Sequence, residues 1–183
     1  MLLDPNLWTS LDSNIKIINI ERHPISLIFS WYKKGFGNFK YSSISQILLY
    51  KSQKTLVPFY ALKWKKDYKK MSECDRIISA VYNYTLEKNL QLKSLKKKSA
   101  LLNLKYESFL QKPYENLKKI NDFLNLNKEQ ILFKNYKNKV NLNKRETTKS
   151  LSLKLNFLKK NSTKTNFKKI LRLTQIYTNE KKY

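Results

Sequence analysis

Three residues carry the chemistry that this chain most plainly offers. Arg22 closes a run of apolar residues, Pro24 stands two positions on, and Ser30 six beyond that. A guanidinium can fork onto two oxygens of a phosphate or sulfate, and a serine hydroxyl can donate a further hydrogen bond. Together they form half of an oxyanion site. The same spacing suits a plainer arrangement, in which Arg22 pairs with Glu21 or caps a helix end and Ser30 is a small contact between helices.

The elements that must position these residues are a strand and a helix. Ile15, Ile17, Ile18 and Ile20 form a β-branched run bounded by Asp12, Ser13 and Asn14, which reads as a buried strand. Pro24 has no amide proton to lose at a first helical position, so a helix is expected from there to about Lys34, with Gly35 as its stop. In open α/β sheets ligands gather beyond the carboxyl ends of the strands, where helix amino termini favour anions. Arg22 falls in that zone.

The order Arg22, Pro24, Ser30 after the strand IKIINI resembles the 3′-phosphate-binding segment of the sulfotransferase family, and Trp31 and Tyr32 match the aromatic pair that often follows its serine. A second block, Leu104 to Leu126, is similar to the family's strand ending in Tyr-Glu, followed by a short helix, a proline and an amphipathic helix. Tyr106, Glu107, Pro113, Ile120, Phe123 and Leu124 fill those places. VPFY at Val57 to Tyr60 and MSECDR at Met71 to Arg76 look like the middle of prokaryotic glycan sulfotransferases, so the resemblance spans about residues 15 to 126.

The resemblance implies an α/β fold of the P-loop-NTPase-like three-layer kind, with a short, incomplete parallel sheet and a mainly helical remainder. It implies transfer of a sulfuryl group from 3′-phosphoadenosine 5′-phosphosulfate to a hydroxyl or amine of a carbohydrate-type acceptor, without a metal. Arg22 and Ser30 would hold the donor's 3′-phosphate. Lys144 and Arg145, in NLNKRETTKS, are the best substitutes for the family's loop that closes over that phosphate.

The chain also departs from the family. Its only glycines, Gly35 and Gly37, follow the first helix, and the phosphate loop that cradles the donor's 5′ end has no counterpart. Sulfuryl transfer needs a base for the acceptor hydroxyl and cations for the transferring group. The family places that base upstream of Arg22. The single histidine, His23, lies within the motif and reads as a turn residue, so the catalytic base is unassigned. Glu107 would orient Arg22 if the two strands are neighbours.

Between the two blocks the pattern is mostly helical. Ile44, Ile47, Leu48 and Tyr50 suggest a short helix, and Pro58 breaks the next segment. Tyr60, Leu62, Trp64 and Tyr68 either line an acceptor groove or pack in the core. Ser72 with Asp75 reads as a capping pair for a helix running to about Asn89, and Leu90 to Lys98 as a solvated turn. A strand is expected over Ala100 to Tyr106, and Pro113 opens the clearest amphipathic helix. A short helix near Lys128 to Asn135 should follow. Leu151, Leu153, Leu155 and Phe157 alternate ambiguously, Phe167 to Tyr177 keep helical spacing, and NEKKY should fray.

Composition sets the outer limits. The 183 residues, 41% hydrophobic, suit a single domain, 1–183, with a basic region from 134 onward. No membrane span or secretion signal is evident, which points to the cytoplasm. A lone cysteine, Cys74, excludes an internal disulfide. Lysine and arginine number 38 against 13 acids, a formal charge of +25. Such a field attracts nucleotides, acidic glycans and, nonspecifically, nucleic acid. AT-rich coding bias is a bland source for much of it. The alternatives to an enzyme are an inactive truncated relative and a basic polyanion-binding or nucleic-acid-binding protein. A sheet edge left uncovered would invite self-association.

Overall fold

A computed structural model describes residues 10–12, 14–38, 49–52, 55–95, 100–126 and 148–179. The apolar run before Arg22 forms strand β1 (Ile17–Glu21), and Pro24 opens helix α1 (Pro24–Lys33). Gly35, at φ +71°, ends it in the left-handed conformation that glycine adopts without strain. An antiparallel hairpin follows, β2 (Leu49–Ser52) and β3 (Thr55–Pro58), then a 3₁₀ segment (Phe59–Trp64) and helices α2 (Lys65–Lys70) and α3 (Glu73–Ser94). The chain continues through β4 (Leu101–Lys105), α4 (Tyr106–Gln111), α5 (Pro113–Leu124), α6 (Thr148–Asn161) and α7 (Lys164–Asn179).

The fold is α/β, mostly helical, with a short parallel sheet of two strands. The chain divides into two units. One comprises residues 1–2, 24–90 and 149–183, the other 3–23 and 91–148.

The first unit is built on helices. Ile25 and Ile28 of α1, Cys74, Ile77, Ile78 and Val81 of α3, Leu158 of α6, and Ile170 and Leu173 of α7 form one buried cluster. Trp31 and Tyr32, the aromatic pair after Ser30, pack against it, with the Tyr32 ring 5.1 Å from that of Phe157. Ser72 caps α3 as expected, its Oγ accepting the Asp75 amide at 3.1 Å. Val57, Ala61 and Tyr68 make a smaller core with Trp64 against it. Trp64 and Tyr68, candidates for an acceptor groove, thus spend their rings on packing.

In the second unit β1 and β4 run parallel, in register from Ile17 opposite Leu101 to Glu21 opposite Lys105. Asn19 Nδ2 donates to Asn103 Oδ1 across the pair at 2.8 Å. Helix α5 ends at Asn125 in the left-handed conformation, and Lys16 Nζ donates to the Phe123 carbonyl near that end. Asn116 is buried and its Nδ2 donates to the Ser108 and Lys112 carbonyls, tying α4 to α5.

Several expectations need correction. Tyr50 belongs to β2, paired with Val57, and not to a helix, because the backbone pairing with β3 sets its conformation. Helix α3 continues through Ser94 where a turn from Leu90 was expected. Tyr106 starts a helix instead of ending a strand. Ile20, read as part of a buried strand, is 56% exposed, since burial on both sides of a strand needs covering layers on both faces. The alternating leucines of residues 151–157 are helical. Leu151, Leu155 and Leu158 share one face at spacings of four and three, which leaves Leu153 64% exposed. The short helices expected near residues 44–48 and 128–135 lie outside the described residues, as does the terminal NEKKY.

Candidate functional site

Arg22 lies one residue beyond the carboxyl end of β1, and Tyr106 one residue beyond that of β4. The parallel register that sets Glu21 opposite Lys105 therefore carries Arg22 to Tyr106. The guanidinium carbon sits 5.4 Å from the centre of the Tyr106 ring, a cation–π contact.

Glu107 secures the turn beside it. Its Oε1 accepts the His23 backbone amide at 2.9 Å, which ties the residue after Arg22 to the end of β4. The carboxylate thus binds the amide that follows Arg22. His23 is a half-buried turn residue, as expected. The Arg22 Nε–H is shielded from solvent and has no hydrogen-bond partner. A buried donor left unsatisfied costs roughly 1–3 kcal/mol. An oxyanion at the end of the parallel strands would remove that cost, which makes this donor a pointer to a ligand.

Of the four binding residues expected from sequence, the structure places two. Arg22 is in the strand unit, while Ser30 is half-buried in α1, within the helical unit. Lys144 and Arg145 lie outside the described residues. Sequence reasoning placed Tyr106 at the end of the second strand but gave it no contact with Arg22. The signal for that contact was available in outline, because pairing the two strand ends in parallel brings the residue after each strand together.

Cys74 and Arg76 are committed to structure. Burial, with the charges of Asp75 and Glu73, pushes the Cys74 thiol up to about 12, so it is no nucleophile near neutral pH. Arg76 donates from Nη1 to the Gly37 carbonyl at 2.6 Å and from Nε to that of Tyr68 at 3.1 Å, a structural staple. Burial lowers the Arg76 pKa from its ordinary value. Among the described residues no group of His, Cys, Asp and Glu side chains could hold a metal ion, and no helix is long and apolar enough to cross a membrane. Comparison of the chain with known family models, curated proteins and solved structures finds no match.

Proposed function

We propose that Arg22 binds a phosphate of an anionic nucleotide, the 3′-phosphate of 3′-phosphoadenosine 5′-phosphosulfate, in a sulfotransferase-like α/β domain. The observation that carries this reading is the Arg22 guanidinium at the carboxyl end of the parallel strands, 5.4 Å from the centre of the Tyr106 ring and with its shielded Nε–H without a partner. The two sequence blocks that resemble the sulfotransferase family supply this arrangement jointly: Arg22 and His23 from one, Tyr106 and Glu107 from the other. The resemblance alone, not the geometry, gives Ser30 a share in holding that phosphate. In this reading the P-loop-NTPase-like character of the fold follows from the resemblance, and the reaction is sulfuryl transfer to a hydroxyl or amine of a carbohydrate-type acceptor. A group that binds the 5′-phosphosulfate and a base for the acceptor have no assigned residues.

The test is calorimetric titration of adenosine 3′,5′-bisphosphate into the wild-type chain, Arg22→Ala and Arg22→Lys at physiological salt. Saturable binding is expected for the wild type and none for Arg22→Ala. Arg22→Lys keeps the charge and loses the fork, so its affinity should fall by ~10-fold or more, the worth of one charge-assisted hydrogen bond. A folded wild-type chain that does not bind, or an Arg22→Ala variant that binds equally well, overturns the assignment.

A further inference from the structure

The basic residues are unevenly distributed over the helices. Helix α3 carries three acids (Glu73, Asp75, Glu87) and three bases (Arg76, Lys88, Lys93), and α5 two of each. Residues 148–179, which hold α6 and α7, carry eight bases and no acid. A coding bias toward lysine would act on all of these helices alike, and it does not explain why acids are missing from one pair.

The placement is as uneven as the count. Helix α7 turns Phe167, Ile170 and Leu173 toward the core, and Lys164, Lys168 and Arg172 are exposed on the opposite side. Positions four apart are offset by only about 40° around a helix, so these three cations form one row about 12 Å long. Like charges at this spacing repel and weaken the helix by a few tenths of a kcal/mol per pair. Lys149 and Lys160 are exposed on α6. At the margin of the face, Lys169 and Arg172 both lie 5.8 Å from the centre of the Tyr82 ring. Burial lowers the Lys169 pKa from its ordinary value, and its Nζ donates to Ser79 Oγ at 2.9 Å. That network of Ser79, Asn166 and Lys169 fixes the orientation of α7 on α3.

We propose that the outward face of α6 and α7 is a docking surface for the phosphate backbone of a nucleic acid, centred on Lys164, Lys168 and Arg172. A row of cations about 12 Å long fits a linear polyanion with several charges in that reach, and a nucleic-acid strand carries one per ~3.4 Å of its axis. An acidic polysaccharide with a single carboxylate per disaccharide presents fewer, and a heavily sulfated one is separated from a nucleic acid by the competition below. A membrane surface fits less well, because a helix lying in a bilayer inserts its apolar face, and α7 spends that face on the core. Recognition here is of charge without base sequence, since backbone contacts position a partner and base contacts specify it.

The experiment measures binding of a fluorescein-labelled 20-nucleotide thymidine strand by anisotropy across a salt series. Two variants of equal net charge are compared. One is Lys164→Gln/Lys168→Gln/Arg172→Gln, and the other removes exposed lysines elsewhere, Lys65→Gln/Lys118→Gln/Lys119→Gln. Each contact with a single strand contributes about 0.7 to the slope of log affinity against log salt. Loss of three contacts should flatten the slope by about 2, or ~20-fold less weakening between 50 and 200 mM salt. The second variant should keep the wild-type slope. Equal flattening in both variants, no binding by the wild type, or displacement of the strand by a sulfated polysaccharide at lower charge concentration than by unlabelled strand would overturn the proposal. The α7 variant should still bind adenosine 3′,5′-bisphosphate as the wild type does, so this proposal and the Arg22 reading fail separately.

Discussion

Replacing Asp75 probes the polar joint of the helical unit most directly. Asp75 is 2% exposed, and its Oδ1 accepts both the Thr163 amide at 3.0 Å and the Thr163 hydroxyl at 3.2 Å. One carboxylate oxygen therefore holds the turn between α6 and α7 against the first turn of α3. Asp75→Ala removes both bonds. Hydrogen bonds to a charged group contribute about 1.5–3 kcal/mol each. With allowance for the two bonds sharing one acceptor, the expected loss is about 3–4 kcal/mol, a large part of the 5–15 kcal/mol that stabilises a typical domain. Asp75→Asn keeps an acceptor in the same place and gives up only the charge, so it should lose about 1–2 kcal/mol. The assay is equilibrium urea unfolding followed by circular dichroism, read as a change in midpoint at constant slope. An Asp75→Ala variant within 1 kcal/mol of wild type would refute the reasoning. So would an Asp75→Asn variant as unstable as Asp75→Ala, since the charge and not the placed acceptor would then be what matters.

Other expectations follow from single contacts. A Cβ at Gly37 would stand 2.4 Å from the Glu73 carbonyl oxygen and 2.6 Å from Glu73 Cγ, so Gly37→Ala should cost about 1–3 kcal/mol in thermal or urea unfolding. Ser72→Ala removes the α3 cap and should cost about 1 kcal/mol by the same measurements. The raised Cys74 pKa makes the folded chain hold its thiol proton after the unfolded chain has released it. The stability it confers is thus complete below pH 9 and is lost progressively up to about pH 12, about 4 kcal/mol at most. Lys169, lowered by burial, drives the opposite trend below pH 10.5, so the readout is the difference in urea midpoint between wild type and Cys74→Ala from pH 8 to 11. That difference should shrink as the pH rises. Tyr106→Ala should weaken adenosine 3′,5′-bisphosphate binding by ~2–5-fold in calorimetry, the worth of a partly exposed cation–π contact.

Local rules of sequence carried a good part of the fold. The isoleucine run of β1, Pro24 and Pro113 at helix starts, Gly35 at a helix end and the Ser72 cap each act within a few residues, so the side chains themselves specify the backbone. The placement of Arg22 after a strand and before a helix was legible for the same reason. What local pattern left open was decided by packing. Whether the leucines of residues 151–157 followed strand or helix periodicity depended on which of them could reach the cluster of α1, α3 and α7, and Leu151, Leu155 and Leu158 did. Tyr50 became a strand residue through its pairing with Val57.

The candidate site shows the same division. Sequence alone determined that an arginine capable of gripping an oxyanion stands at the end of a strand, and that Tyr106 and Glu107 end a second apolar segment. Only the tertiary structure decided that the two segments run parallel and in register. That pairing sets the Tyr106 ring against the guanidinium and the Glu107 carboxylate on the next amide, although His23 and Glu107 stand 84 positions apart in the chain. Strand pairing is a long-range choice made by the energy of the whole fold, and no single stretch of sequence contains it.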